Sequence, residues 1–176
     1  MNSKLTPYIS KTEIRTRVKE LAQQISRDYE GCPLTVIGIL KGSYIFVADL
    51  IRELDLPLEV DFMSVATFGE AFEQGGIRIR KDISCDVSGK DVLIVEDILD
   101  TGKTLTAVAA ILKGRGANSL KICALIDKPT RRTTNVPVEY VGFTVPEDRF
   151  LVGYGIDHEE NFRNLPYVAE YHITQE

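Results

Sequence analysis

Apolar residues recur along this chain in two distinct periods. Ile14, Val18, Leu21, Ala22 and Ile25 fall on one face at helical spacing, which predicts a helix over 10–31. Ser10 and Glu13 have the spacing of a capping box at its start, and Gly31 follows as a stop. "LTVIGIL" (34–40) is apolar at nearly every position, the pattern of a strand buried on both faces. "KGS" (41–43) makes a turn into a second helix over 44–54, and a strand over 58–68 comes next. Residues 69–76 are polar, Gly-rich and too numerous for a tight hairpin; they are expected to be a mobile flap, with 77–82 as its returning arm. A strand at 92–95, a helix over 104–116 closed by glycines and a buried strand over 120–126 follow. Two last strands are expected over 137–143 and 149–157.

Apolar strands alternating with helices specify an α/β fold with a mainly parallel sheet. Such sheets bind ligands beyond the carboxyl ends of their strands, where the strand order switches. Lys41, Glu96, Asp97, Asp100, Lys128 and Asp157 all fall at those ends. No repeat, low-complexity tract or linker divides the chain, so 1–176 is expected to form one domain.

The stretch "VLIVEDILDTGKTL" (92–105) breaks the pattern of a buried strand with three carboxylates and then a Thr-Gly-Lys-Thr. A nucleoside-triphosphate P-loop is excluded. That motif needs a glycine at position 97, which is Asp, and a loop free of carboxylates. A different division of labour fits. Asp100 to Thr104 enter a helix N-terminus, whose free N–H groups and positive dipole end suit one monophosphate. Gly102 permits close approach, and the Thr101 and Thr104 hydroxyls add donors. Glu96 and Asp97 are acceptors placed for vicinal hydroxyls or a metal. Alternation would send them to opposite faces, so at least one is expected past the regular pleat. The combination describes a site for a ribose 5-phosphate.

Charge and composition narrow the class. The net charge is −5, which argues against nucleic acid or an anionic membrane as a partner, since both want a basic face. No apolar run approaches a membrane span, and the first residues lack a signal-peptide core. Cys32, Cys85 and Cys123 are scattered, without metal or disulfide spacing, and read as reduced thiols of a cytoplasmic protein.

Residues 92–105, with "GILKGS" (38–43) and "RFLVGYGIDHEENFRNLPYV" (149–168), resemble the type I phosphoribosyltransferases, in particular the bacterial hypoxanthine-guanine phosphoribosyltransferases. The resemblance implies a twisted, mainly parallel sheet flanked by helices, with a small hood and a flexible flap. It implies a purine salvage enzyme that moves the phosphoribosyl group from phosphoribosyl pyrophosphate to hypoxanthine or guanine with Mg²⁺, yielding IMP or GMP. Glu96 and Asp97 would hold the ribose hydroxyls and metal, and Thr101, Gly102, Lys103 and Thr104 the 5′-phosphate. Asp100 would take the N7 proton, which requires desolvation or a nearby phosphate to raise its basicity. Lys41, Gly42 and Arg163 would bind pyrophosphate, with a non-proline cis peptide between Leu40 and Lys41. Lys128 would donate to the purine O6, Phe150 stack on the base, the Leu151 main chain read its edge, and Asp157 bind Mg²⁺ beside it. At the flap, many relatives carry Ser-Tyr where this chain has Thr67 and Phe68, so any contact from that tyrosine hydroxyl must be absent or replaced. A homodimer or homotetramer is expected.

Two rivals carry the same core motif. A regulator of this fold that senses phosphoribosyl pyrophosphate and binds nucleic acid would keep 96–104 but needs a basic face. A pyrimidine or xanthine transferase is the other; the 38–43 and 149–168 matches favour hypoxanthine and guanine, and xanthine differs only at the 2-position of the base.

Overall fold

The computed structural model describes residues 3–67 and 77–173. In chain order they form β1 (Ser3–Ile9), α1 (Lys11–Asp28), β2 (Leu34–Leu40), α2 (Tyr44–Glu53), β3 (Leu58–Thr67) and β4 (Ile77–Lys81). Then come β5 (Asp91–Leu99), α3 (Lys103–Gly114), β6 (Ser119–Asp127), β7 (Tyr140–Thr144), β8 (Leu151–Val152) and β9 (Val168–Ile173). A single 3₁₀ turn, Pro129–Arg131, follows β6.

The main sheet runs β4-β3-β2-β5-β6-β7. All pairings are parallel except β4 on β3, which is antiparallel as a returning arm must be. Strand alternation divides the side chains between two layers. Val36, Leu93, Val95 and Leu125 face α1 and α2, while Ile37, Ile94, Ile122 and Ala124 face α3. This is why the central strands are apolar at every position. The capping box forms as expected: the Ser10 hydroxyl accepts from the Glu13 N–H, and the Glu13 carboxylate accepts from the Ser10 N–H at 2.8 Å. The five apolar positions of α1 are all buried.

Two expectations are corrected. Residues 149–157 do not form a strand of the main sheet. Only Leu151–Val152 are extended, and they pair with β9 in a separate three-stranded antiparallel sheet, β1-β9-β8. Gly153 and Gly155 then turn the chain at positive φ, which ends the strand. The two partners of that small sheet, β1 and β9, carry no strong local signal; Pro7 interrupts the β1 pattern and the pairing Ser3 to Ile173 is made across the length of the chain. The second correction concerns β5, which continues through Leu99 along β6 although β2 leaves it at Val95. Glu96 and Asp97 therefore both remain within a strand.

Candidate active site

At the carboxyl ends of β2, β5 and β6 lie two cavities that share Ile98 and Asp100. One, of about 250 Å³, is bounded by Gly42, Glu96, Asp97 and the 100–104 turn. The other, of about 360 Å³, is bounded by Lys128, Arg131, Phe150, Leu151 and Asp157. Larger cavities exist elsewhere, such as one of about 450 Å³ between α1, α2 and residues 164–166, but none of these carboxylates lines it. Chemistry, and not volume, locates the site.

The first cavity follows from β5 outrunning β2. With one flank unpaired, the strand exposes Glu96 and Asp97 to the space above β2. Glu96 reaches Asp97 despite the pleat because its longer side chain folds back: its Oε1 accepts the Asp97 N–H at 3.2 Å. The carboxylate is buried, and burial, followed by the charge of Asp97, pushes its carboxyl well above the usual carboxylate range. Asp97 in turn sits so close to the turn after β2 that a Cβ on Gly42 would run into its carboxylate. The cis peptide expected between Leu40 and Lys41 is present in that turn.

The 100–104 turn does run into a helix N-terminus. Gly102 is the N-cap of α3 at φ 85°, a conformation natural to glycine. The first helical bond runs from the Thr106 N–H to the Gly102 carbonyl at 3.0 Å, so the N–H groups of the first turn have no helical acceptor. The turn is held from behind by residues 132–134. The Thr133 and Thr134 N–H groups donate to the Thr101 carbonyl at 3.1 and 3.0 Å, and Arg132 Nε donates to the Asp100 carbonyl at 2.9 Å. Arg132 is itself paired with Asp127. A Cβ on Gly102 would lie 2.8 Å from the Thr134 carbonyl oxygen, so only glycine fits.

The second cavity is lined by a chain of charges. Lys128 is buried, with Nζ 2.8 Å from the Arg149 carbonyl and 3.5 Å from Asp148. Arg131 bridges Asp148, at 2.9 Å, to Asp100, at 2.9 Å from its Nε. Of the two ways expected to raise the basicity of Asp100, desolvation is not the one built in, since its side chain is 40% exposed and paired with a guanidinium; a substrate phosphate beside it is the other. Phe150 is half exposed, its ring edge-on to His158 at 5.1 Å and tilted to Tyr171 at 5.9 Å. These neighbours brace one side of the ring. β8 is an edge strand, so the backbone groups along its outer side are free of β9.

Lys41 and Arg163 come together across two loops. Lys41 Nζ lies 2.9 Å from Glu160, and Arg163 pairs with Asp157 at 2.8 Å and Glu160 at 3.2 Å. The loops touch directly, since a Cβ on Gly155 would collide with the Gly42 carbonyl. Of the flap residues, Phe68 and 69–76 lie outside the described residues, as does the side chain of Thr67.

Among the described residues no three His, Cys, Asp or Glu side chains converge on one point. Glu96 and Asp97 nevertheless form an oxygen-only pair suited to Mg²⁺, which takes one or two protein carboxylates and completes its shell with phosphate oxygens and water. Asp157 lines the other cavity and is engaged by Arg163, so the three expected ligands do not share one ion.

Sequence reasoning missed Arg131, Arg132, Asp148 and Glu160. The first two form the basic pair in "KPTRRTT", just after Lys128, and that pair was a legible hint. Asp148 and Glu160 gave none, because their roles arise from partners distant in the chain.

Comparison with known proteins agrees with this geometry. The family model described as "Phosphoribosyl transferase domain" matches residues 10–159. The hypoxanthine phosphoribosyltransferase of Salmonella typhimurium is 47% identical over 171 residues, 96% of each chain. The hypoxanthine-guanine phosphoribosyltransferase of Staphylococcus aureus is 45% identical over 162 residues, covering 92% of this chain and 90% of its own. A crystal structure of a hypoxanthine-guanine phosphoribosyltransferase from Bacillus anthracis superimposes with a TM-score of 0.92 at 42% identity, covering 98% of this chain and all of that one.

Proposed function

The chain belongs to the phosphoribosyl transferase domain family, and from that premise we propose that it transfers the 5-phosphoribosyl group of phosphoribosyl pyrophosphate to hypoxanthine or guanine, giving IMP or GMP and pyrophosphate. It is a purine salvage enzyme, and nothing supports the nucleic-acid-binding regulator. The observation that carries the reading is the pair of cavities joined at Ile98 and Asp100: an acid-lined one running into a helix N-terminus, and an aromatic one with a buried lysine.

The ribose phosphate occupies the first cavity, with its 5′-phosphate on the N–H groups and hydroxyls of Thr101 to Thr104 and its hydroxyls on Glu96 and Asp97. The purine occupies the second, stacked on Phe150, with its edge toward the Leu151 main chain. Lys128 uses two of its three donors on protein oxygens and has one left for a 6-oxo group, which favours hypoxanthine and guanine over adenine. N9 then lies in line with the anomeric carbon where the cavities meet. The N9–C1′ bond forms as the bond from C1′ to pyrophosphate breaks, and the N7 proton passes to Asp100. Arg131 holds Asp100 by Oδ1 alone, which leaves Oδ2 to receive that proton. Pyrophosphate is received by Lys41, Gly42 and Arg163. Mg²⁺, when bound at Glu96 and Asp97, supplies charge neutralisation of the leaving group. The chain acts as a single domain within a homodimer or homotetramer, and its three free cysteines suit a reducing cytoplasm.

The test is product formation from phosphoribosyl pyrophosphate and Mg²⁺ with hypoxanthine, guanine, xanthine, adenine and uracil, alongside an Asp100→Asn variant. Monophosphates of hypoxanthine and guanine, and a slow variant, are expected. Consumption of no base while phosphoribosyl pyrophosphate still binds would refute the transferase reading.

A further inference from the structure

The two cations assigned to pyrophosphate are already engaged. One Glu160 carboxylate oxygen, Oε1, receives Lys41 Nζ at 2.9 Å, and the other, Oε2, receives Arg163 Nη2 at 3.2 Å. A carboxylate with one oxygen on each of two cations makes the same pair of contacts that one phosphoryl group of pyrophosphate would make. The loop that presents it is tightly built. The Glu160 N–H donates to Asp157 Oδ2 at 2.9 Å, an antiparallel bridge closes His158 on Asn161, and Glu160 sits at φ 64°. Arg163 is tethered independently of Glu160, to Asp157 and to the Gly155 carbonyl at 2.8 Å. It therefore keeps its place if the Glu160 side chain swings away. The Glu160 side chain itself is 64% exposed and buries nothing, so the contact contributes little to folding.

We propose that Glu160 is a built-in competitor for pyrophosphate, an anion that occupies Lys41 and Arg163 until the pyrophosphate of a ligand displaces it. Glu160 thereby sets affinity for pyrophosphate and phosphoribosyl pyrophosphate, and not for the purine. The inference rests on the assignment of Lys41 and Arg163 to pyrophosphate made above. Because exposed ion pairs are weak and screened by salt, the carboxylate acts as a displaceable placeholder and not as a lock. It also keeps the two cations neutralised between turnovers, so that other small anions bind less readily.

The test is calorimetric titration of inorganic pyrophosphate, with Mg²⁺, into the whole protein and its Glu160→Gln, Lys41→Met and doubly substituted variants, at low and high ionic strength. Glu160→Gln keeps the backbone N–H and the size of the side chain but removes the charge. It is expected to tighten pyrophosphate by about threefold to tenfold at low salt, with the gain shrinking at high salt. The KM for phosphoribosyl pyrophosphate should fall in parallel while that for hypoxanthine stays put. In the Lys41→Met background most of the gain should vanish. Weaker or unchanged pyrophosphate binding in Glu160→Gln, with Lys41→Met clearly weakened, would overturn the proposal and make Glu160 a support for the cations. If Lys41→Met binds pyrophosphate as well as the unsubstituted protein, the assignment of Lys41 itself fails and the inference falls with it. Glu160→Asp, which withdraws the carboxylate by one methylene, should lie between the two.

Discussion

Replacing Lys128 by Met separates recognition of the base from support of the fold. Met preserves the length and burial of the side chain and removes only the ammonium group. In the folded protein that group makes one good bond, to the Arg149 carbonyl at 2.8 Å, and one long contact with Asp148, which is 66% exposed and keeps Arg131 as a partner. Losing the first leaves a carbonyl short of a donor, at about 1–3 kcal/mol; relief from holding a charge in a buried position offsets a similar amount. Net stability should therefore change by less than about 1 kcal/mol, a shift of a few degrees in Tm. In the complex with hypoxanthine the loss is one-sided. A charge-assisted hydrogen bond to O6 is worth about 1.5–3 kcal/mol, so kcat/KM for hypoxanthine and guanine should fall about 10- to 150-fold. Pyrophosphate affinity should hold, because Lys41 and Arg163 lie outside the cavity that Lys128 lines. Steady-state kinetics with each base, beside a thermal melt of the same sample, reads both quantities. Unchanged kcat/KM would show that Lys128 does not touch the base. A melt lowered in step with activity would show that the lysine serves the fold alone.

Three further outcomes follow from the geometry. Gly42→Ala would press a methyl group onto the Asp97 carboxylate and should lower kcat at least about tenfold with the melt nearly unchanged; normal turnover would mean Asp97 can move without cost. Glu96→Gln removes a carboxylate that burial and Asp97 disfavour, so in metal-free buffer its Tm should rise while turnover falls, and a lowered Tm would contradict the cost of holding that charge beside Asp97. Asp61 shows the opposite balance: burial raises its carboxyl, but N–H groups of Phe62, Ser84 and Cys85 and the Lys81 ammonium outweigh it and hold the pKa well below the usual carboxylate range. A depressed folded-state pKa contributes stability above the unfolded value of about 3.9 and loses it as pH falls toward the folded value. Asp61→Asn should thus be less stable by about 1–3 kcal/mol at pH 7, with the gap narrowing below about pH 4 in acid titrations of unfolding; a gap independent of pH would refute the assignment.

Local patterns in the chain were enough to place the central layers and to single out the 96–104 segment. Continuous apolar runs such as 34–40 can only be strands covered on both faces, and a capping box with five apolar residues at helical spacing can only be α1. Gly102 before a helix, with hydroxyls on either side, marks a glycine-capped helix N-terminus through local backbone geometry alone. Signals of this kind survive in one dimension because their physics acts between near neighbours. The tertiary structure decided whatever depends on distant partners. It drew Leu151–Val152 out of the main sheet and onto β9, gave β1 and β9 their pairing, and let β5 outrun β2 so that Glu96 and Asp97 face one cavity. It also buried Lys128, which in sequence is an ordinary lysine after a strand, and set Arg131 on Asp100 and Glu160 on Lys41. Charged side chains have no periodicity that names their partners; long-range Coulomb and hydrogen-bond pairings exist only once the backbone has brought residues 31 or 119 positions apart into contact.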